Sequence, residues 1–154
     1  VAYNLEKHKE FLSLASNGNE DAYQFLCTMA RTFRLWDDCY DQDRDIDKEA
    51  ADEVFCDLNF TLSRNEFYRK NQDALSAFIF VAWNAWKDSN AWKGSESKLK
   101  GTCAWFIRDT CNEIVPLVAF LTGGRAKARA FALPYREFLL NRLAEQGMDG
   151  FVKE

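Results

Sequence analysis

The chain has 154 residues, 47% of them hydrophobic and 15% aromatic, which is the size of one ordinary domain with ample material for a dense core and argues against disorder. Its net charge is −4, with seven Gly and two Pro; an all-β protein, which needs a turn every roughly 8–12 residues, would carry more of both. The single histidine, His8, excludes a His-rich zinc site, a di-iron bundle with E-x-x-H pairs and a Ser–His–Asp triad.

Hydrophobic spacing then gives helices in chain order. The first covers about Leu5 to Ser16, with Leu5, Phe11, Leu12 and Leu14 on or near its buried side and His8 solvated. "SNGNED" breaks it, and Asn19 caps a second helix with Glu20 and Asp21 in its first turn, where negative charge is favoured. Ala22, Phe25, Leu26, Met29, Ala30, Phe33 and Trp36 recur at steps of three and four, forming one apolar face. A third helix carries Ala51, Val54, Phe55, Leu58 and Leu62, with Asp45 or Asp47 as its cap. Ser63 and Glu66 have capping-box spacing and open a fourth helix. Its later part, "ALSAFIFVAWNAW", is apolar almost all round, as expected of a helix at the centre of a bundle.

"KDSNAWKGSES" is read as the next connection. The fifth helix has Leu99, Cys103, Phe106, Thr110, Ile114, Leu117 and Leu121 on one face, a kink at Pro116 and an end at Gly123 and Gly124. Pro134 opens the last helix as its first residue. The expected fold is one all-α domain over residues 1–154, a bundle of about six helices around an apolar central one. The alternative is an α+β fold with strands at "FIFVAW" and "EIVPLVAF", since short apolar runs are ambiguous.

Cys27, Cys39, Cys56, Cys103 and Cys111 are odd in number, and none forms a C-x-x-C pair. They are expected as small buried hydrophobes in a reducing, cytoplasmic compartment. No apolar run approaches the ~20 residues of a membrane span, and no aromatic-interleaved basic run indicates nucleic acid.

Charge is unevenly distributed. From Asp37 to Glu53 nine acids face two bases, a net of −7 in seventeen residues, so the rest of the chain sums to +3. Asp45, Asp47, Glu49, Asp52 and Glu53 fit the cap and first turn of the third helix. Asp37, Asp38 and Asp41 do not, because they stand at the end of the second helix and oppose its dipole. Either Arg34, three and four residues before Asp37 and Asp38, compensates them, or a divalent cation does. Asp41, Asp43 and Asp45 also have the D-x-D-x-D opening of a calcium loop, but Ile46 stands where that loop needs Gly and Asp52 where it needs Glu.

The D-D-x-x-D run Asp37–Asp38–Cys39–Tyr40–Asp41, on a helical background, resembles the first aspartate-rich motif of isoprenoid synthases. That resemblance implies a magnesium ion, Mg2+, held on a substrate diphosphate, although the family's second N-x-x-x-S-x-x-x-E motif is absent. The helical layout also resembles small proteins of bacteriophages and prophages. The shared features are W-D-D-x-x-D-x-D from Trp36 to Asp43, the segment Asn65-Glu66-Phe67-Tyr68, and Gly-Gly before the last helix. It implies a host-cytoplasm location and no particular activity.

Asp109 and Glu113, four apart on an otherwise apolar helix, are either matched by Arg108 or a neighbouring helix, or join the first acidic group around a cation. Arg31, Arg34 and Arg125 are the other candidate partners. Arg125, Lys127 and Arg129, with Arg136 and Arg142, face a single Glu137 between Leu121 and Arg142 and could meet a ligand phosphate. Trp83, Trp86, Trp92 and Trp105 are expected as core anchors, with a pocket lining as the other option.

Two functions follow. The favoured one is a non-catalytic structural or interaction protein, in which the acidic run is a recognition or self-association surface for a protein partner or a second copy. The other is magnesium-dependent binding or turnover of a phosphorylated small molecule through Asp37, Asp38 and Asp41, with Asp109 and Glu113.

Overall fold

The computed structural model describes residues 5–41 and 45–146, with the side chains of all but Asp41 and residues 142–146. The protein is an all-helical bundle, and no strand occurs among the described residues. Helices α1 (Leu5–Ser16), α2 (Glu20–Asp41) and α3 (Lys48–Cys56) lead into a π-helical turn, Asp57–Thr61, and a 3₁₀ turn, Leu62–Arg64. Then come α4 (Glu66–Trp92), α5 (Lys98–Arg108), a second 3₁₀ segment, Asp109–Glu113, and α6 (Ile114–Gln146). Both runs that allowed a strand reading are therefore helical or 3₁₀.

Local chemistry sets most of the starts. Asn19 caps α2 by accepting from Ala22 N at 2.9 Å, and Asp47 caps α3 by accepting from Glu49 N at 3.0 Å. The Ser63–Glu66 capping box does not form. Asn65 caps α4 instead, accepting from Tyr68 N at 2.7 Å, while Ser63 bonds back to Phe60 O at 3.1 Å. The reason is tertiary: Asn65 Nδ2 donates to Asp21 O at 2.7 Å, and Glu66 N donates to Asp21 Oδ2 at 2.9 Å. The start of α4 is thus tied to the start of α2.

The expected long fifth helix is two helices. It breaks at the 3₁₀ segment Asp109–Glu113, which advances about 120° per residue against 100° in an α-helix and so shifts the phase of the apolar stripe. Ala104 is buried, while Leu99 and Phe106 are exposed at 74% and 61%. Pro116 produces no kink, because it falls in the first turn of α6, where a missing N–H costs nothing. The break comes at Gly124 (φ 73°, ψ −174°), and the helix then runs through Pro134. Helix α4 extends to Trp92, so the connection to α5 is shorter than the sequence suggested.

The core joins Phe11, Leu12 and Ala15 of α1 and Ala22, Phe25, Leu26 and Met29 of α2 to Phe67 and Leu75 of α4, and to Val118, Phe131 and Tyr135 of α6. Further along, helix α4 exposes Phe80, Val81 and Trp83 on one side while burying Ala82, Trp86 and Ser89 on another. Its far end is held again to α2, where Trp86 Nε1 donates to Asp37 Oδ1 at 3.1 Å. The ties stand at residues 21 and 37 of α2 and at 65 and 86 of α4. At 1.5 Å per residue these enclose about 24 Å of α2 and about 32 Å of α4. The longer of the two segments belongs to α4. It has a non-helical residue between the ties, Asn71 (φ −115°, ψ 16°).

Candidate functional site

Between those two ties lies an open cleft of about 1010 Å³. It occupies the space between the N-terminal half of α1, the C-terminal half of α2, the middle of α4 and the junction of α5 with α6. Its walls are largely apolar and rich in rings: Phe33 and Trp36 from α2, Phe80, Trp83 and Trp86 from α4, and Trp105 from α5. The tryptophans expected as core anchors thus divide. Trp83, Trp86 and Trp105 line the cleft, Trp86 being buried as well, while Trp92 does not line it. His8, read from sequence as solvated, is half-buried on the cleft wall and stacks on Tyr135 and Phe138 at 6.4 and 6.2 Å between centroids.

One end of the cleft is closed by a polar cluster around Trp86. Arg108 donates to Asp37 Oδ1, the oxygen that also accepts the Trp86 indole N–H. Arg108 donates to Asn90 Oδ1 at 2.7 Å as well, and its guanidinium lies 5.4 Å from the centre of the Trp86 ring. The other amide atom of Asn90, Nδ2, is buried without a hydrogen-bond partner among the described residues. Tyr40 packs edge-on to Trp86 at 4.6 Å, and Lys87 Nζ donates to the Tyr40 hydroxyl at 3.2 Å.

The carboxylates singled out from sequence are spread among separate partners. Asp37 answers Arg108, and Asp38 accepts from Arg34 Nε at 3.0 Å, one helical turn away. Asp41 closes α2, and its side chain lies outside the described residues, as does Asp43. Asp109 lines the cleft and accepts from Asn112 Nδ2 at 3.1 Å. Glu113 pairs with Arg136 of α6, whose Nε donates to Oε1 at 2.8 Å. That hydrogen bond holds the Arg136 guanidinium above its ordinary pKa.

Asp109 and Glu113 do not share a helix face, because the segment between them is 3₁₀ and a four-residue step there ends about 120° away. Asp37 and Asp109 do reach the same cleft. Among the described residues no three His, Cys, Asp or Glu side chains converge as metal ligands.

The basic residues proposed for a phosphate stand elsewhere. Arg125 and Arg129 are exposed, and Lys127 donates to Asn17 Oδ1 at 2.9 Å, fastening the α1–α2 connection to α6. None of the three lines the cleft. The cysteines are less buried than expected. Cys56 is exposed and the other four are half-buried, with no disulfide among the five.

The sequence offered Arg31 as an ion-pair partner and Phe33 as an apolar-face residue, not as cleft walls, and gave no role to Asn90. Their signal was indirect: "ALSAFIFVAWNAW" is apolar on more sides than its neighbours can cover, which is what a helix bordering a cavity looks like. No helix among the described residues is long and apolar enough to cross a membrane. No family model, no curated protein and no solved structure matches the chain.

Proposed function

We propose that this protein is a non-catalytic binding domain that receives its ligand in the aromatic cleft rather than on its acidic run. The observation that supports this reading most is the cleft itself. Its volume of about 1010 Å³ is at the upper end of the roughly 300–1,000 Å³ of small-molecule sites. Exposed rings are kept in water around it (Trp36 at 45%, Phe80 at 61%, Trp83 at 41%). A purely structural helix pair would gain roughly 1.5–3 kcal/mol for each such side chain by closing over it.

The magnesium reading has less support. An ion on Asp37 and Asp38 would have to share the first carboxylate with Arg108 and the second with Arg34.

The test fills the space. Ala30 is a half-buried residue of α2 on the cleft wall, and Ala30→Trp places an indole in the void. Ligand-observed NMR against a set of ring-bearing fragments is expected to show binding to the wild type and its loss in the variant, with the helical circular-dichroism signal unchanged. Equal binding to both proteins would place the ligand site elsewhere.

A further inference from the structure

The charges around the cleft decide what it can hold. Three arginines among the described residues reach it, and each is already matched by a carboxylate: Arg31 by Asp57, Arg34 by Asp38 and Arg108 by Asp37. The carboxylate of Asp109 accepts from Asn112. An anionic ligand group entering such a space loses its water and must break an existing pair to recover a counter-charge. Apolar rings suffer no such loss and find Trp83, Trp86 and Trp105 as stacking surfaces.

Resting on the cleft as the binding site, we propose that its ligand is a ring-bearing small molecule without an anionic group, and that Asp38, Asp57 and Asp37 act as built-in counter-charges that keep the arginines from recruiting anions. The carboxylates on which a metal reading rests thereby acquire a different task. They set ligand selectivity by neutralising the rim. Arg34 is the most open of the three, with its side chain 57% exposed against 44% for Arg31 and 14% for Arg108, so its pair is the natural place to intervene.

A matched pair of probes separates charge from shape. N-phenyl-1-naphthylamine and 8-anilino-1-naphthalenesulfonate share their rings and their amine and differ by one sulfonate. In dilute salt at pH 8, tryptophan quenching and probe emission are expected to show the uncharged probe binding at least about tenfold more tightly. Asp38→Asn, which releases Arg34 without touching the core, is expected to raise sulfonate-probe affinity severalfold and leave the uncharged probe unchanged. Ala30→Trp should abolish both signals.

If the two probes bind the wild type equally, or the sulfonate binds more tightly, the inference about charge is wrong while the cleft stands as a site. If Asp38→Asn leaves the preference unchanged, the counter-charge role is wrong. If neither probe binds, or both bind Ala30→Trp as they bind the wild type, the small-molecule reading of the cleft falls with it. A cleft closed by a second copy or by a protein helix would give that last result.

Discussion

Asp37 and Trp86, one near the end of α2 and the other far along α4, are joined through a single carboxylate oxygen that accepts the indole N–H at 3.1 Å and a guanidinium N–H of Arg108. Three elements meet at that atom, although nothing in the local sequence around any of them announces it. The acid most exposed to suspicion as a metal ligand is a structural tie.

Removing that tie should be costly. Asp37→Ala leaves the Arg108 guanidinium, its side chain only 14% exposed, without its carboxylate, and is expected to lower stability by about 1–3 kcal/mol. Asp38→Ala breaks only an open one-turn pair with Arg34 and also removes a charge from the wrong end of a helix dipole, so its effect should stay within about 0.5 kcal/mol. Urea denaturation of both variants measures the difference. Equal losses would contradict the assignment of Asp37 as the shared acceptor.

At the other tie, Asn65 holds both a cap and a cross-link. Asn65→Ala is expected to destabilise by about 1–2 kcal/mol, since Tyr68 N and Asp21 O lose their partner together. Ser63→Ala should be close to neutral because the capping box that its spacing suggests is not made. Thermal unfolding of the two variants side by side decides between the two caps.

Gly124 has φ 73° and ψ −174°, a region open in practice only to glycine. Gly124→Ala is expected to lower stability by about 1–3 kcal/mol for strain alone, since an added Cβ there meets no atom within 4 Å. At Gly123 the added Cβ would stand 2.8 Å from Lys127 Cγ and 2.9 Å from Lys127 Cβ, an atom fixed to the backbone of α6, while the far end of that side chain is held by Asn17. Gly123→Ala is therefore also expected to destabilise, by about 1–3 kcal/mol, through crowding rather than backbone strain. Differential scanning calorimetry of both variants measures the two losses.

Burial pushes the Cys27 thiol above its ordinary value of 9.0, and the hydrogen bond between Cys27 and Tyr23 raises the Tyr23 phenol as well. The folded state thus favours the protonated thiol. Its contribution is complete below the unfolded-state pKa near 9 and is lost as pH rises through the folded value. Stability should fall above pH 9, and Cys27→Ala should flatten that fall. Iodoacetamide at pH 8, read by mass spectrometry, should label the exposed Cys56 first and Cys27 well after it.

The parts of the fold that were legible from sequence are those governed by neighbours along the chain. Asn19 and Asp47 cap their helices through bonds two or three residues long, and the α2 face from Ala22 to Met29 is buried as its spacing required. The parts that were not depend on distant residues. Asn65 outcompetes Ser63 because Asp21 of another helix is there to accept from it. The answer to Asp37 is Arg108, 71 positions away, and no spacing rule reaches that far. The stripe from Leu99 to Leu121 failed at five residues of 3₁₀ helix, which look like α-helix in composition and differ only in phase. The cleft was hinted at by a helix too apolar for its surroundings, but its position required knowing where α2 and α4 are fastened.

Fastened to α2 near both ends, α4 has its register set from outside the cleft. A turn added or deleted between Asn71 and Ile79 would carry every α4 wall residue from Ile79 to Trp86 along the helix axis and would disturb Leu75 in the core, so the cleft depends on the spacing between the two ties as much as on the rings that line it.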